Sequence, residues 1–242
     1  MKMLGVLSRK GGVDKTTLAI HMAVLADQAA LRTLLVDLDP QRSAASWWRA
    51  RAAETPHLVE TDPGNLRDIL EAAAEDGVDL VVVDARPSLE ADAAHVASLA
   101  DLVLVPTRPA IFDLRAILGT LDIVKGTARR SLIVLNACPP PRGAGEASLV
   151  VDARHALAAF VVPVAPIAIV NRSGFPGAAV DGLTACEADP DSKAAKEMRA
   201  LWRIVEKELN FNGKAKPAKR VGAEGGTGTR DGRAGREASQ GA

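Results

Sequence analysis

Apolar residues fall along the chain in short unbroken runs, separated by longer stretches with helical spacing. The short runs, rich in Val, Leu and Ile, predict strands over Met3–Ser8, Thr33–Asp37, Leu80–Asp84, Leu102–Pro106, Leu132–Asn136 and Val164–Val170. Most lack the alternation of a half-exposed sheet, as expected for strands covered on both faces. Between them, Ala-rich segments predict helices over Thr16–Ala29, Ser43–Glu54, Asn65–Glu75, Asp113–Lys125 and Glu146–Phe160. A last helix is expected over Ser192–Leu209, where Met198, Leu201, Val205 and Leu209 recur at intervals of three and four. Alternating strands and helices imply an α/β fold, a doubly wound, mostly parallel sheet flanked by helices. Ligands of such sheets bind outside the carboxyl ends of the strands, so the residues there carry the functional argument.

Composition bounds the answer further. The 242 residues are 48% hydrophobic and 25% charged, ordinary values for a soluble globular domain. Aromatics are only 3%, with no Tyr, so the core is expected to be aliphatic. The longest apolar stretch, Ala159–Val170, is broken by Pro163 and Pro166 and falls short of the roughly 20 residues of a membrane span. Arg9 and Lys10 follow a short apolar run with no cleavage site, which is not a secretory signal. Cys138 and Cys186 make neither a disulfide framework nor a metal cluster, and the four histidines show no metal-ligand spacing. A cytoplasmic protein is expected. Thirty Lys or Arg balance 30 Asp or Glu, which argues against coating nucleic acid by bulk charge. The balance conceals a split: residues 212–242 carry seven basic and three acidic residues, leaving 23 basic against 27 acidic in residues 1–211. A folded domain over 1–211 is therefore expected, followed by a disordered basic Gly/Ala-rich tail over 212–242. That tail is either a plain solvated terminus or a weak electrostatic anchor for nucleic acid.

Three strand ends carry unusual residues. Ser8-Arg9-Lys10-Gly11-Gly12-Val13-Asp14-Lys15-Thr16-Thr17 leaves the first strand and enters the first helix. Consecutive glycines let backbone N–H groups converge on an anion, and the helix N-terminus adds partial positive charge. Lys15 is placed to reach the β- and γ-phosphates of a nucleotide, and the Thr16 hydroxyl to hold Mg²⁺. The ordinary phosphate-loop pattern fails here, because Arg9 and Asp14 occupy its glycine positions. The second strand ends in Asp37-Leu38-Asp39-Pro40-Gln41, with two carboxylates on one side of an extended chain. The third ends in Val81-Val82-Val83-Asp84, an apolar run that delivers a carboxylate. Hydrolysis at a γ-phosphate needs Mg²⁺ and an oriented water, and acids at strand ends can serve both.

A different loop pattern fits better. Lys-Gly-Gly-x-Gly-Lys-Thr-Thr, matched at seven of eight positions with Asp14 the one departure, resembles the deviant Walker A motif of the ParA/MinD superfamily of partition and positioning ATPases. The resemblance implies a P-loop NTPase in which Lys10, Gly11, Gly12, Val13, Asp14, Lys15, Thr16 and Thr17 surround the nucleotide. It implies catalytic roles for Lys10, which reaches across a dimer interface to the partner's nucleotide, for Lys15, and for Asp39, which orients the attacking water. Thr16, Asp37 and Asp84 match the Mg²⁺ positions. Asn136 matches the residue that reads adenine, although an Asn ending a strand is also an ordinary turn residue. Arg86 stands where the family's γ-phosphate-sensing loop has a proline, ahead of Pro87-Ser88-Leu89; it either alters nucleotide coupling or is a neutral exposed change. The segment from Val105 through Arg108 to Asp113, and the ending from Gly182 onward, resemble small plasmid-type members, which lack a helix-turn-helix domain before the loop. The stiff Pro139-Pro140-Pro141 loop is expected near the base.

The implied function is hydrolysis of ATP to ADP and phosphate, with ATP and Mg²⁺ as cofactors. An ATP-dependent homodimer would bind DNA without sequence preference, associate with the nucleoid and answer to a ParB-like centromere-binding or adaptor protein. The cargo could be a plasmid, a chromosome or a protein cluster. A neutral protein needs clustered charge to hold DNA. Arg172 and a stripe of Lys193, Lys196, Arg199 and Arg203 are candidates, though the same spacing suits the solvated face of an amphipathic helix. A MinD-like membrane role is disfavoured because the tail has no apolar face, so no membrane partner is expected; an iron–sulfur reductase is disfavoured because the cysteines do not match its ligand positions. Asp14 complicates all of this. A side chain there costs about 1–2 kcal/mol if φ is positive, and a carboxylate about 4 Å from a phosphate charge repels it by roughly 4 kcal/mol at an effective dielectric near 20. Weak nucleotide binding or slow hydrolysis is expected, with a catalytically impaired scaffold as the alternative.

Overall fold

The computed structural model describes residues 1–86, 90–143 and 145–211. The expected tail over 212–242 lies outside the described residues, as does the Pro87–Leu89 part of the expected sensing loop. Six strands, β1 (Lys2–Val6), β2 (Thr33–Asp37), β3 (His57–Glu60), β4 (Leu80–Asp84), β5 (Leu102–Thr107) and β6 (Ser131–Leu135), form one sheet in the order β3-β2-β4-β1-β5-β6. Every pairing is parallel. The helices are α1 (Lys15–Gln28), α2 (Ser43–Ala50), α3 (Leu66–Glu75), α4 (Glu90–Leu99), α5 (Ile111–Ala116), α6 (Leu118–Gly126), α7 (Ser148–Leu157), α8 (Gly174–Val180), α9 (Ala185–Ala188) and α10 (Lys193–Glu208).

The uninterrupted apolar strands are buried because both faces are covered. Leu4, Leu35, Leu80, Val82, Leu102 and Leu104 face one core with α1 and α10. Their neighbours Met3, Leu34, Val36, Val81, Val83, Val103 and Val105 face the other, with α4, α6 and α7. α1 is apolar nearly all round because it lies between the sheet and α10.

The sheet departs from expectation at its two edges. Val164–Val170 is not a strand. It makes isolated bridges Ile133–Val164 and Cys138–Val170 beside β6, because Pro163 and Pro166 lack the N–H groups a ladder needs. β3, which the apolar pattern misses, is only His57–Glu60, with both end residues exposed. The helix expected over Asp113–Lys125 is two, α5 and α6, although Ile117 N–H still donates to the Asp113 carbonyl at 3.0 Å. The Ala-rich α4 and the short α8 and α9 were not anticipated. Cys138 and Cys186 are buried free thiols, and no helix among the described residues is long and apolar enough to cross a membrane.

α9 is capped within itself and tied to the body of the fold through two polar contacts. Thr184 and Glu187 form a reciprocal capping box at its start. Glu187 pairs with Arg51 at 2.6 Å, the Arg51 side chain being only 3% exposed. His21, in α1, accepts the Ala185 N–H at Nε2 (3.1 Å), so Nδ1 carries the proton and donates to the Thr17 carbonyl at 2.7 Å. Burial holds the His21 imidazole down at about 4, against smaller upward pulls from the Thr17 carbonyl and Glu187. Its folded pKa lies below the unfolded value, so its contribution is present above about 6.5 and lost as pH falls toward 4. Burial raises the Asp84 carboxyl to about 7, a shift that acts in the opposite direction but cancels when wild type is compared with a His21 variant. Between pH 7 and 5, wild type should lose about 2 kcal/mol more stability than His21→Gln, measured by denaturant unfolding at each pH; parallel pH profiles would contradict this role for His21.

Candidate nucleotide site

Parallel pairing sets the site. β1 lies between β4 and β5, with Val6 opposite Asp84 and Leu104, so the loop leaving β1 emerges between two other carboxyl ends. Asp37 lies opposite Asp84 across β2–β4. Residues 7–14 form the loop, and Lys15 opens α1. Gly12 has φ +71° and Asp14 has φ 58°. The second value meets the condition that makes Asp14 strained, since a left-handed turn is open to glycine and costly for most side chains, Asp and Asn less so.

The polar groups gather around the start of α1. The Thr16 hydroxyl donates to Asp84 Oδ2 at 2.6 Å. Asp84 is 1% exposed, and its Oδ1 is buried without a hydrogen-bond partner. Its high pKa comes mainly from burial, reinforced by Asp37 and opposed by the Thr16 hydroxyl and Lys15. Lys15 is buried, which lowers its ammonium pKa, against the pull of Asp84, Asp39 and Asp14. An unpartnered buried carboxylate oxygen beside a hydroxyl suits a hard cation. Among the described residues no three His, Cys, Asp or Glu side chains gather as a metal cluster. Thr16 and Asp84 would hold Mg²⁺ together with phosphate oxygens and water, the usual arrangement for this ion.

The other expected residues are placed as follows. Asp37 is fully buried, and its oxygens accept the Asp39 and Ala45 N–H groups at 3.0 Å each. It braces the turn and the first turn of α2 through these two bonds. Asp39 lies at the site edge and accepts the Gln41 N–H at 2.9 Å. Lys10 is bound within its own chain, Nζ lying 2.5 Å from Asp113 Oδ1 on α5. Asn136 donates to the Val13 carbonyl at 2.9 Å, bracing the loop, and also lines a cavity of about 280 Å³ with Asp14, Thr17, Arg108 and Phe175. A larger cavity of about 540 Å³ lies elsewhere, between Leu31, Thr33, Val59 and Val78, and no loop residue lines it. Arg86 is committed to Asp92 of α4, its Nε donating at 3.0 Å.

The proposed DNA residues separate into two groups. Lys193, Lys196 and Arg203 are exposed on α10, opposite the buried Ala194, Met198, Leu201, Trp202 and Val205. Arg199 is half-buried and bonds the Pro190 carbonyl. Arg172 is neutralised by Glu197 at 2.5 Å and is not part of a free positive stripe. Exposed Lys207 extends the stripe one turn and was missed by the spacing argument. Two further contacts were missed: Lys10 with Asp113, and Arg108 with Asp14, 4.0 Å apart. Each joins residues roughly a hundred positions apart in the chain, and no local pattern signals such a pairing.

Residues 4–144 match the family model described as the CobQ/CobB/MinD/ParA nucleotide binding domain. The chain belongs to that family. It is 38% identical to maintenance of carboxysome distribution protein A of Gloeobacter kilaueensis over 216 residues, covering 86% of this chain and 94% of the relative. It is 30% identical to the chromosome-partitioning ATPase Soj of Thermus thermophilus over 150 residues, covering 50% and 60%. Its fold matches the septum site-determining protein MinD of Pyrococcus horikoshii, solved with Mg-ADP, at a TM-score of 0.70 and 17% identity, over 88% of this chain and 99% of that one. The ParA/MinD resemblance and the doubly wound parallel sheet read from the sequence are both borne out.

Within the family's loop, Asp14 can now be weighed physically. Burial raises its carboxyl pKa, while Arg108 and then Lys15 pull it down. Its side chain is 44% exposed, so solvent and Arg108 bring the repulsion well below the roughly 4 kcal/mol expected at an effective dielectric near 20. Asp14→Gly should bind Mg-ATP at least tenfold more tightly by isothermal titration and gain up to about 1 kcal/mol of stability from relief of the left-handed backbone; equal affinities would contradict this role for Asp14.

Proposed function

We propose that the chain is an ATP-dependent positioning or partition switch that dimerises on ATP, binds DNA without sequence preference and hydrolyses ATP to ADP and phosphate. The observation that carries this reading is the junction of loop and strand: a glycine-rich loop opening α1, with Thr16 bonded to Asp84 beside an unpartnered carboxylate oxygen. In this reading Lys15 and the loop N–H groups bind the phosphates, and Asp39 orients water. Mg²⁺, held by Thr16 and Asp84, neutralises phosphate charge when bound. Dimerisation is supported by α5, which exposes Ile111 and Phe112 beside Asp113 and Lys10; a second copy would cover that apolar patch.

The similarity to a carboxysome-distribution protein supports a protein assembly as cargo, with a plasmid or chromosome as the alternative. The partner would be an adaptor on that cargo or a ParB-like protein, and DNA binding would place the dimer on the nucleoid. A membrane-bound mode finds no support in α10, whose apolar face is buried. A second reading, a nucleotide-binding scaffold with little turnover, is favoured by the strained carboxylate of Asp14. An ATPase assay with and without DNA separates the two, since only the switch turns over ATP in a DNA-dependent manner.

DNA binding is assigned to the exposed face of α10. Replacing Lys193, Lys196 and Arg203, which are all exposed, by Glu should abolish the ATP-dependent DNA mobility shift while leaving nucleotide affinity unchanged. Single neutral substitutions should each lower the log–log salt slope by about 1. Unaltered DNA binding by the triple variant would reject this surface.

A further inference from the structure

Arg108 immediately follows β5, and the parallel pairing of β5 with β1 brings it beside the phosphate loop. Its Nη2 lies 4.0 Å from Asp14 Oδ2. The same atom lies 3.9 Å from the position a Cβ would take on Gly12. The guanidinium therefore spans the part of the loop between Gly12 and Asp14, where an anion would approach.

Of the other cations of the loop, exposed Arg9 lies against Gly119 of α6. Lys10 is held by Asp113 at 2.5 Å, and buried Lys15 is faced by Asp84, Asp39 and Asp14. Arg108 differs. Its side chain is 46% exposed, and a guanidinium has five N–H donors, more than one carboxylate can occupy. The remaining donors border the 280 Å³ cavity that Arg108 and Asp14 line together with Thr17 and Asn136.

We propose that Arg108 is the counter-charge that lets this loop carry Asp14, a positioning residue that pairs with the Asp14 carboxylate and so offsets its repulsion of the phosphates of the bound nucleotide. The proposal deepens the nucleotide-binding reading above and rests on it. It makes the two residues a unit: the loop tolerates an acid at a glycine position because a strand end supplies a planar cation beside it. Removing the cation alone leaves an uncompensated carboxylate at the phosphate site, whereas removing both restores a loop of ordinary charge.

The test is a double-mutant cycle read by fluorescence titration of N-methylanthraniloyl-ATP with Mg²⁺. Arg108→Ala in the otherwise unchanged chain should weaken binding at least tenfold. In the Asp14→Gly background the same change should cost less than threefold. Arg108→Lys should recover most of the affinity, because it keeps the charge though not the fork. Arg108→Gln, similar in bulk and uncharged, should behave like Arg108→Ala, with melting temperatures confirming that each variant is folded. An equal loss in both backgrounds, or no loss from Arg108→Ala, would overturn the proposal while leaving nucleotide binding standing. Absence of binding by every form, Asp14→Gly included, would overturn the nucleotide reading and this inference together.

Discussion

β1 lies between β4 and β5, and because all three run in one direction their carboxyl ends finish along one edge of the sheet. The Thr16–Asp84 hydrogen bond at 2.6 Å exists because of that arrangement, joining the start of α1 to the end of β4. So do the placement of Arg108 beside Gly12 and of Asn136 beneath Val13. A strand inserted or reversed at the centre would separate groups that come from four distant stretches of chain. Two aliphatic cores clamp the sheet from both faces and make that register costly to change.

Each of three cations at this edge is offset by acids of the same chain. Lys10 is paired with Asp113, Arg108 with Asp14, and Lys15 stands among three carboxylates. A polyanion entering the site must compete with these acids for their cations, while a divalent cation entering with it would meet the unpartnered oxygen of Asp84. Under the proposed function, nucleotide and Mg²⁺ would thus be favoured jointly over either alone. Neutrality recurs at the scale of the chain, where 30 basic residues match 30 acidic ones. That balance leaves exposed Lys193, Lys196, Arg203 and Lys207 on α10 as a local positive face, one that pairing two copies would double.

Much of this was legible in the sequence. β2 and β4 have the expected bounds, because a buried parallel strand is a continuous apolar run that ends abruptly in Asp. The loop was legible because glycines, lysines and threonines at fixed spacing have few structural alternatives. β3 was not, since a four-residue edge strand buries little and carries a weak apolar signal. Val164–Val170 misled for the converse reason, being apolar enough for a strand but interrupted by prolines. Asp37 shows the limit at the site itself: its position was read, but its two bonds to backbone amides depend on where α2 begins. Arg172 was read as a free cation, and only the packing of α10 shows it paired with Glu197.

The central claim is that this edge of the sheet is a nucleotide-operated switch between one and two copies of the chain. Size-exclusion chromatography with light scattering, with and without Mg-ATP, measures it most directly. The expected result is a monomer without nucleotide, and a dimer with Mg-ATP that forms at lower ATP concentration in the Asp14→Gly variant. A monomer at saturating Mg-ATP in both proteins would contradict it.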